Sequence, residues 1–325
     1  MKAIVYSKYG RPLDVVQLKE VDKPIPTDDQ VLVRIHAASV NAYDWHMLTA
    51  DIFLVRLAAG LLKPKNSRPG ADVAGRVEAV GKGIKHFQPG DEVYGDIGSG
   101  GFAEYACARE NLLALKPTNI TFEEAAAVPM AALTALQGLR DGGQIRPGQK
   151  TLIHGASGGV GSFAVQFAKY FRAEVTAVCS TKNLDMARSL GAEHVIDYTK
   201  EDFTKNGQLY DLIFAANGNR SIFDYRRALS PTGIYVMAGG SISQIFQGLL
   251  LAPSLSKSGG KKLGALSAKV NQKDLVFIRE LVETGKIKPV IDRRYPLSET
   301  AEALRYLGEG HAKGKIVIEF QRGNA

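Results

Sequence analysis

A chain of 325 residues is too long for one ordinary hydrophobic core, so two domains are expected. With 45% hydrophobic and 23% charged residues, the composition excludes a disordered or fibrous chain. The net charge of +8 permits an anionic partner, but the basic residues are scattered. Small clusters at Arg226–Arg227, Lys261–Lys262 and Arg293–Arg294 form no stripe of the kind nucleic acid requires, so a solvated surface or a site for an anionic cofactor is expected and no nucleic acid.

The N-terminus, MKAIVYSKYGRPLDVV, lacks the apolar segment of a secretory signal. Two apolar stretches, FLVRLAAGLL and AAAVPMAALTAL, are interrupted by Arg56 and Pro129 and fall short of the roughly 20 residues needed to span a bilayer. Cys107 and Cys179 offer neither metal spacing nor a disulfide framework. A cytoplasmic protein is the expectation.

Residues 1 to about 120 read as short strands, among them AIVY, VLVRIHAASV, DVAGRVEAVG, DEVYG and FAEYACA. Turns at Pro24-Ile25-Pro26, Gly81-Lys82-Gly83 and Pro89-Gly90-Asp91 separate them, which predicts a β-rich domain. From about residue 123 strands and helices alternate. TLIHG, EVTAVC, HVIDY, YDLIFAAN and GIYVMAGG are separated by helical patterns, which predicts a parallel sheet. A helix is expected from about Asp274, as its cap, to Glu283, with Gly285 as its stop. A further helix from Ser298 to Gly308 precedes a last strand, KIVIEF.

The segment from Thr151 to Phe171 carries the chemistry. Gly155-Ala156-Ser157-Gly158-Gly159 fits the G-x-S-x-G elbow of a serine hydrolase. Gly155, Gly158 and Gly161 fit a shifted form of the glycine fingerprint that seats a dinucleotide. Asp292 and His311 follow Ser157 in the order a hydrolase needs. Against that reading, the preceding region is β-rich and lacks an H-G-G-G-like loop.

On the dinucleotide reading, Gly155, Ser157, Gly158, Gly159, Val160 and Gly161 surround a pyrophosphate at a helix N-terminus. The second strand should end at the adenosine ribose about 20 residues later. That point is Cys179 followed by Ser180, Thr181, Lys182 and Asn183, with no carboxylate among them. Hydroxyls and a cation suit a 2′-phosphate, so NADPH/NADP is the expected cofactor.

An ordered set of segments then resembles a family: VNAYDWHMLTAD, RPGADVAGRVEAVG, FQPGDEVYG, GGFAEYA, AAAVPMAALTALQGL, HGASGGVGSFAVQFAK, SLGAEHVIDY and GHAKGKIVIEF. The chain resembles the zinc-independent quinone oxidoreductase-like branch of the medium-chain dehydrogenase/reductase superfamily along nearly its whole length. The resemblance implies an α/β protein with a GroES-like β-rich domain, residues 1–122 and 288–325. A Rossmann domain with a doubly wound parallel sheet, residues 123–287, would be inserted between them.

It also implies a homodimer and an NADPH-dependent reductase acting on an α,β-unsaturated carbonyl or a quinone. Where zinc members carry Cys-His and Gly-His-Glu, this chain has Asn41 and the pair Ala71 and Asp72, so no metal is expected. Asn41, Tyr43 and His46 lie on the segment that faces the nicotinamide in relatives and are the candidate catalytic residues. Thr134, Tyr198, Asn217, Gly239 and Gly240 carry over as cofactor contacts. Within GHAKGK, Lys315, and less so Lys313, would help clamp the cofactor. His36, His86, His154 and His194 read as structural. The apolar segments 52–62 and 244–255 would wall a site for a hydrophobic substrate, form a dimer edge or make a peripheral membrane contact. The alternative from another class is a non-catalytic NADPH-binding protein.

Overall fold

The computed structural model describes residues 1–240, 244, 246–247, 250–256 and 260–320, and of Phe53, Leu54, Ala58 and Pro253 only the backbone. The chain forms two compact units, one of residues 1–130, 270–285 and 289–325, the other of residues 131–269 and 286–288.

The first unit is built on a seven-stranded sheet. Along it run Ile291–Pro296, Lys315–Glu319, Gln30–Val40, Asp72–Val80, Glu92–Asp96 and Leu113–Leu115, and Tyr105–Arg109 adds to Gln30–Val40. All pairs are antiparallel except the first, which is parallel. The central strand Gln30–Val40 is rich in β-branched and small apolar residues and pairs with three neighbours. Its residues Val31, Val33 and Ile35 join one core with Val73, Val77, Val93 and Leu113. Ala38 and Val40 join a second core with Ile4, Leu48, Ile316 and Ile318.

The helix Gln272–Glu283 belongs to this unit, whereas the sequence reading placed it in the inserted domain ending at residue 287. The Tyr94 hydroxyl donates to the Leu275 carbonyl at 2.7 Å, Gln272 Nε2 to the Leu113 carbonyl at 3.0 Å and Asn119 Nδ2 to the Val282 carbonyl at 3.1 Å. Partners more than 150 positions away hold it, and these leave no trace in local periodicity. Its cap is Asn271, not Asp274. Asn271 Oδ1 accepts from the Asp274 N–H at 2.8 Å, and the Asp274 carboxylate accepts from Asn271 Nδ2 at 2.9 Å.

The second unit carries six parallel strands in the order His194–Asp197, Glu174–Cys179, Lys150–His154, Tyr210–Ala215, Leu229–Met237 and Lys262–Ala265. In sequence order these are strands 3-2-1-4-5-6, the doubly wound arrangement of a dinucleotide fold. The strand interiors are almost continuous in Leu, Ile, Val, Phe and Ala, as a sheet covered on both faces requires. No helix among the described residues is long and apolar enough to cross a membrane.

Candidate active site

In the second unit the buried strand Lys150–His154 ends at Gly155, whose φ of 79° is left-handed. A Cβ there would stand 2.9 Å from the Asn217 backbone nitrogen, and one at Gly161 would stand 2.0 Å from the Gly155 carbonyl oxygen. The two glycines therefore let the helix Gly159–Tyr170 start directly against the strand end. The first bond inside that helix runs from Ser162 N–H to the Gly158 carbonyl at 2.9 Å. The N–H groups of Gly159, Val160 and Gly161 have no acceptor within the helix, and its dipole favours an anion in front of them. Ser157 sits half-buried in the same turn. A cradle that a methyl group would close, facing free N–H donors, fits a pyrophosphate.

Ser180–Asn183 continue the neighbouring strand. Lys182 is exposed and Asn183 is buried. Asn183 Nδ2 donates to Ser180 Oγ at 3.2 Å, while Asn183 Oδ1 meets no donor among the described residues. Asp197 stands in register with Cys179 on the adjacent strand, so it ends at the same edge. The sequence reading looked for a carboxylate only among residues 180–183, and this one arrives from a different strand. The hydroxyls of Thr181 and Thr199 donate to it at 2.5 Å and 2.7 Å and hold its carboxyl below the usual carboxylate range.

Tyr198 is 45% exposed beside Asp197. Asn217 is exposed just past Tyr210–Ala215 and donates its N–H to the His154 carbonyl at 3.4 Å. Gly239 and Gly240 follow Leu229–Met237, and Gly240 bridges to Gly218. The structure thus gathers Gly155–Gly161, Ser180–Asn183, Tyr198, Asn217, Gly239 and Gly240 along the carboxyl edge of one sheet. Thr134 lies half-buried on the helix Pro129–Gln137, away from those strand ends in sequence.

In the first unit Asn41 closes the strand Gln30–Val40 and caps the helix Ala42–Thr49, which carries Tyr43 and His46. Asp44, in the first turn, accepts from the Asn41 N–H at 2.9 Å and the Gly70 N–H at 3.1 Å. The Asn41 side chain is engaged on both ends. Its oxygen accepts from the Lys315 ammonium, and its Nδ2 donates to the Ser39 carbonyl at 3.3 Å and to Asp72 at 3.0 Å.

Asp72 is fully buried and accepts from the Ser39 hydroxyl and the Met130 N–H, each at 3.0 Å, with the Lys315 ammonium at 3.4 Å. Lys315 is itself buried and also donates to the Val40 carbonyl. The residue read as a cofactor clamp therefore faces Asn41 and Asp72. Burial pushes the carboxyl of Asp44 up to about 7, and burial together with the nearby Asp72 does the same to Asp96.

Tyr43 is 41% exposed, and burial of its ring raises its hydroxyl above the ordinary range, so it stays a neutral donor. His46 Nδ1 lies 2.8 Å from the Asp51 carboxylate. An ionised carboxylate only accepts, so Nδ1 carries a proton, and Nε2 offers a lone pair whenever the ring is neutral. Asp44, Asp72 and Asp96 were missed as site residues because a buried carboxylate in a strand or first helical turn has no sequence signature; Asp72 stood out only for replacing a metal ligand.

Of the histidines read as structural, His154 is buried with its Nδ1 2.7 Å from the Tyr225 hydroxyl, and desolvation, with the nearby Arg220 charge, holds the ring neutral, down to about 4. His36 stacks on Phe122, and His194 pairs with Glu174. His86 is exposed. Asp292, the acid of the hydrolase alternative, accepts instead from the Tyr306 hydroxyl and the Lys313 N–H. Of the apolar segments, Leu57, Leu61 and Leu62 are exposed, as are Phe246, Leu250 and Leu251, while residues 245, 248 and 249 lie outside the described residues. At the position of a catalytic zinc the donor set does not suit the ion. Asn41 brings no thiolate, Ala71 no imidazole, and the oxygens of Asp72 already face three neutral donors and an ammonium.

Residues 27–118 match the alcohol dehydrogenase GroES-like domain and residues 190–318 the zinc-binding dehydrogenase family. The chain is 35% identical over 338 residues to a chloroplast envelope quinone oxidoreductase homolog of Arabidopsis thaliana, covering 98% of each chain. It is also 35% identical over 336 residues to the chloroplastic NADPH-dependent alkenal/one oxidoreductase of the same plant, over 98% of this chain and 79% of that one. The quinone oxidoreductase of Coxiella burnetii superposes with a TM-score of 0.86 at 30% identity, covering 99% of both chains. With this geometry and these relatives, the chain belongs to the medium-chain dehydrogenase/reductase superfamily and is an oxidoreductase of its quinone oxidoreductase-like branch.

Proposed function

We propose that the chain is an NADPH-dependent reductase of α,β-unsaturated carbonyls or quinones that works without zinc. The observation that carries this reading is the glycine turn at Gly155–Gly161, which opens a helix N-terminus on a doubly wound parallel sheet. The name of the alkenal/one relative supports the substrate class and the phosphorylated cofactor. Exposed Lys182 and half-buried Ser180 would hold the 2′-phosphate, and the backbone N–H groups of Gly159–Gly161 the pyrophosphate. When bound, the reduced nicotinamide supplies a hydride.

The chain's own groups then have to stabilise charge on the substrate oxygen. In a conjugated carbonyl the β-carbon receives the hydride and the negative charge spreads to oxygen, so a hydrogen-bond donor suffices where a simple ketone would need a Lewis acid. The neutral Tyr43 hydroxyl is the donor in this reading. His46, held by Asp51 through Nδ1, offers a lone pair at Nε2 when neutral and a second donor only as imidazolium. Asn41 is a positioning residue: it fixes the start of the helix that carries both, and Lys315 and Asp72 fix Asn41.

The test is a panel of enones and quinones, run with NADPH and again with NADH, following loss of the reduced-nicotinamide absorbance. Turnover of at least one class with NADPH is expected. Tight NADPH binding with no turnover on any member would instead support the non-catalytic alternative.

A further inference from the structure

We propose that Asp197 sets the balance between NADPH and NADH by holding the hydroxyl protons of Thr181 and Thr199. The inference rests on reading Ser180–Asn183 as the adenosine 2′ subsite. A hydroxyl has one proton to give. Thr181 gives its proton to one oxygen of Asp197, and Thr199 gives its own to the other. The Thr199 N–H adds a third bond at 3.0 Å. Two of the hydroxyls nearest the strand edge are thus bound to a carboxylate and cannot donate to a phosphate. Within Ser180–Lys182 the side chains left to do so are the Ser180 hydroxyl, which accepts from Asn183 through its lone pair, and exposed Lys182. Thr181 lies between these two in the chain, so the carboxylate is fixed one hydroxyl away from the segment that would meet the phosphate.

A 2′-phosphate brings nearly two negative charges to that segment, whereas a ribose hydroxyl brings none. The fixed carboxylate opposes the first and not the second. Lys200 lies 3.9 Å from Asp197, but its side chain is 72% exposed, so water screens its compensation. Asp197 therefore tempers a preference that Lys182 and Ser180 create, and keeps NADH usable.

The experiment is steady-state kinetics of the full chain with both cofactors on one turned-over enone. Asp197→Asn keeps the shape, removes the charge and frees one threonine proton. Its ratio of kcat/KM for NADPH over NADH is expected to rise about 5- to 10-fold. A ratio unchanged within about twofold, or lowered, overturns the proposal. Both cofactors are assayed on the same sample, so partial unfolding cancels in the ratio. Thr181→Val is expected to raise the NADPH KM no more than the NADH KM. A selective rise of about 10-fold would mean that Thr181 serves the phosphate itself, which also overturns it. Lys182→Ala separates the two readings. If it leaves the NADPH KM unchanged, the subsite and the role of Asp197 fall together. If it weakens NADPH while Asp197→Asn leaves the ratio alone, only Asp197 is overturned.

Discussion

Lys315 and Asn41 stand 274 positions apart, and the buried ammonium of the first donates to the side-chain oxygen of the second. The same ammonium reaches Asp72 at 3.4 Å. The pairing follows from the sheet: the strand Lys315–Glu319 runs antiparallel to Gln30–Val40, with Ile316 opposite Val40. The Asp72 side chain is fully buried, so its charge cannot be rehydrated when its partner is removed. Lys315→Met is expected to cost about 3 kcal/mol of stability, toward the low end for a broken buried pair because Asp72 keeps its neutral donors. Adding Asp72→Asn should recover part of that loss. Chemical denaturation of the two variants measures both values, and a single-variant loss under about 1 kcal/mol would show that the pair is not a structural tie.

Much of the fold was legible because both periodicities are strong. The β-branched run with Val31, Val33 and Ile35 marks a strand, and the apolar runs of TLIHG and YDLIFAAN mark strands covered on both faces. The glycine spacing at 155, 158 and 161 likewise points to its site, because backbone clearance is a property of the residue itself. What local sequence does not contain is which distant side chain fills a polar position. Lys315 was expected at the cofactor because it lies in the family segment GHAKGK, and only strand pairing reveals Asn41 as its acceptor. Asp197 was overlooked for the same reason: parallel register, not chain proximity, brings it to Thr181.

The glycine turn gives a contrast between two substitutions three residues apart. At Gly161 a methyl group would meet the Gly155 carbonyl oxygen at 2.0 Å, a backbone atom that cannot rotate away. At Gly158 the nearest atom would be 3.6 Å off, an ordinary contact. Gly161→Ala is expected to lower stability by about 2 kcal/mol or more and to abolish cofactor binding, while Gly158→Ala should change stability by less than about 0.5 kcal/mol. Thermal melts with and without NADPH measure both. Equal losses at the two positions would show that the close approach is not what selects glycine.

Tyr43 and His46 share a helix but differ in what they can give. Tyr43→Phe removes the hydroxyl proposed as the donor to the substrate oxygen and should lower kcat by about 10- to 100-fold with little change in the KM for the cofactor. Asp51→Asn leaves the Tyr43 hydroxyl in place and weakens the contact that holds the His46 ring, along with the Asp51 bonds to Trp45 Nε1 and the Ile52 N–H, so it should lower kcat less than Tyr43→Phe does. A Tyr43→Phe enzyme of full activity would remove Tyr43 from the reaction.

The buried carboxyls of Asp44 and Asp96 make a pH-dependent contribution whose sign can be worked out. Both are raised to about 7 in the folded chain, from an ordinary value near 3.8. Between these limits the folded state holds protons that the unfolded state has released, so this contribution to stability is complete at low pH and declines as pH rises toward 7. His154 acts oppositely, since it is depressed to about 4 and must charge on unfolding at low pH. A single wild-type curve therefore mixes the two. Asp96→Asn isolates one of them, because an amide neither releases a proton nor repels Asp72. The stability of that variant relative to wild type is expected to improve by about 1 to 3 kcal/mol between about pH 5 and pH 8. Denaturant titrations at each pH measure the difference. A difference that is flat, or that shrinks with rising pH, would mean that Asp96 is already ionised near pH 5 in the folded protein.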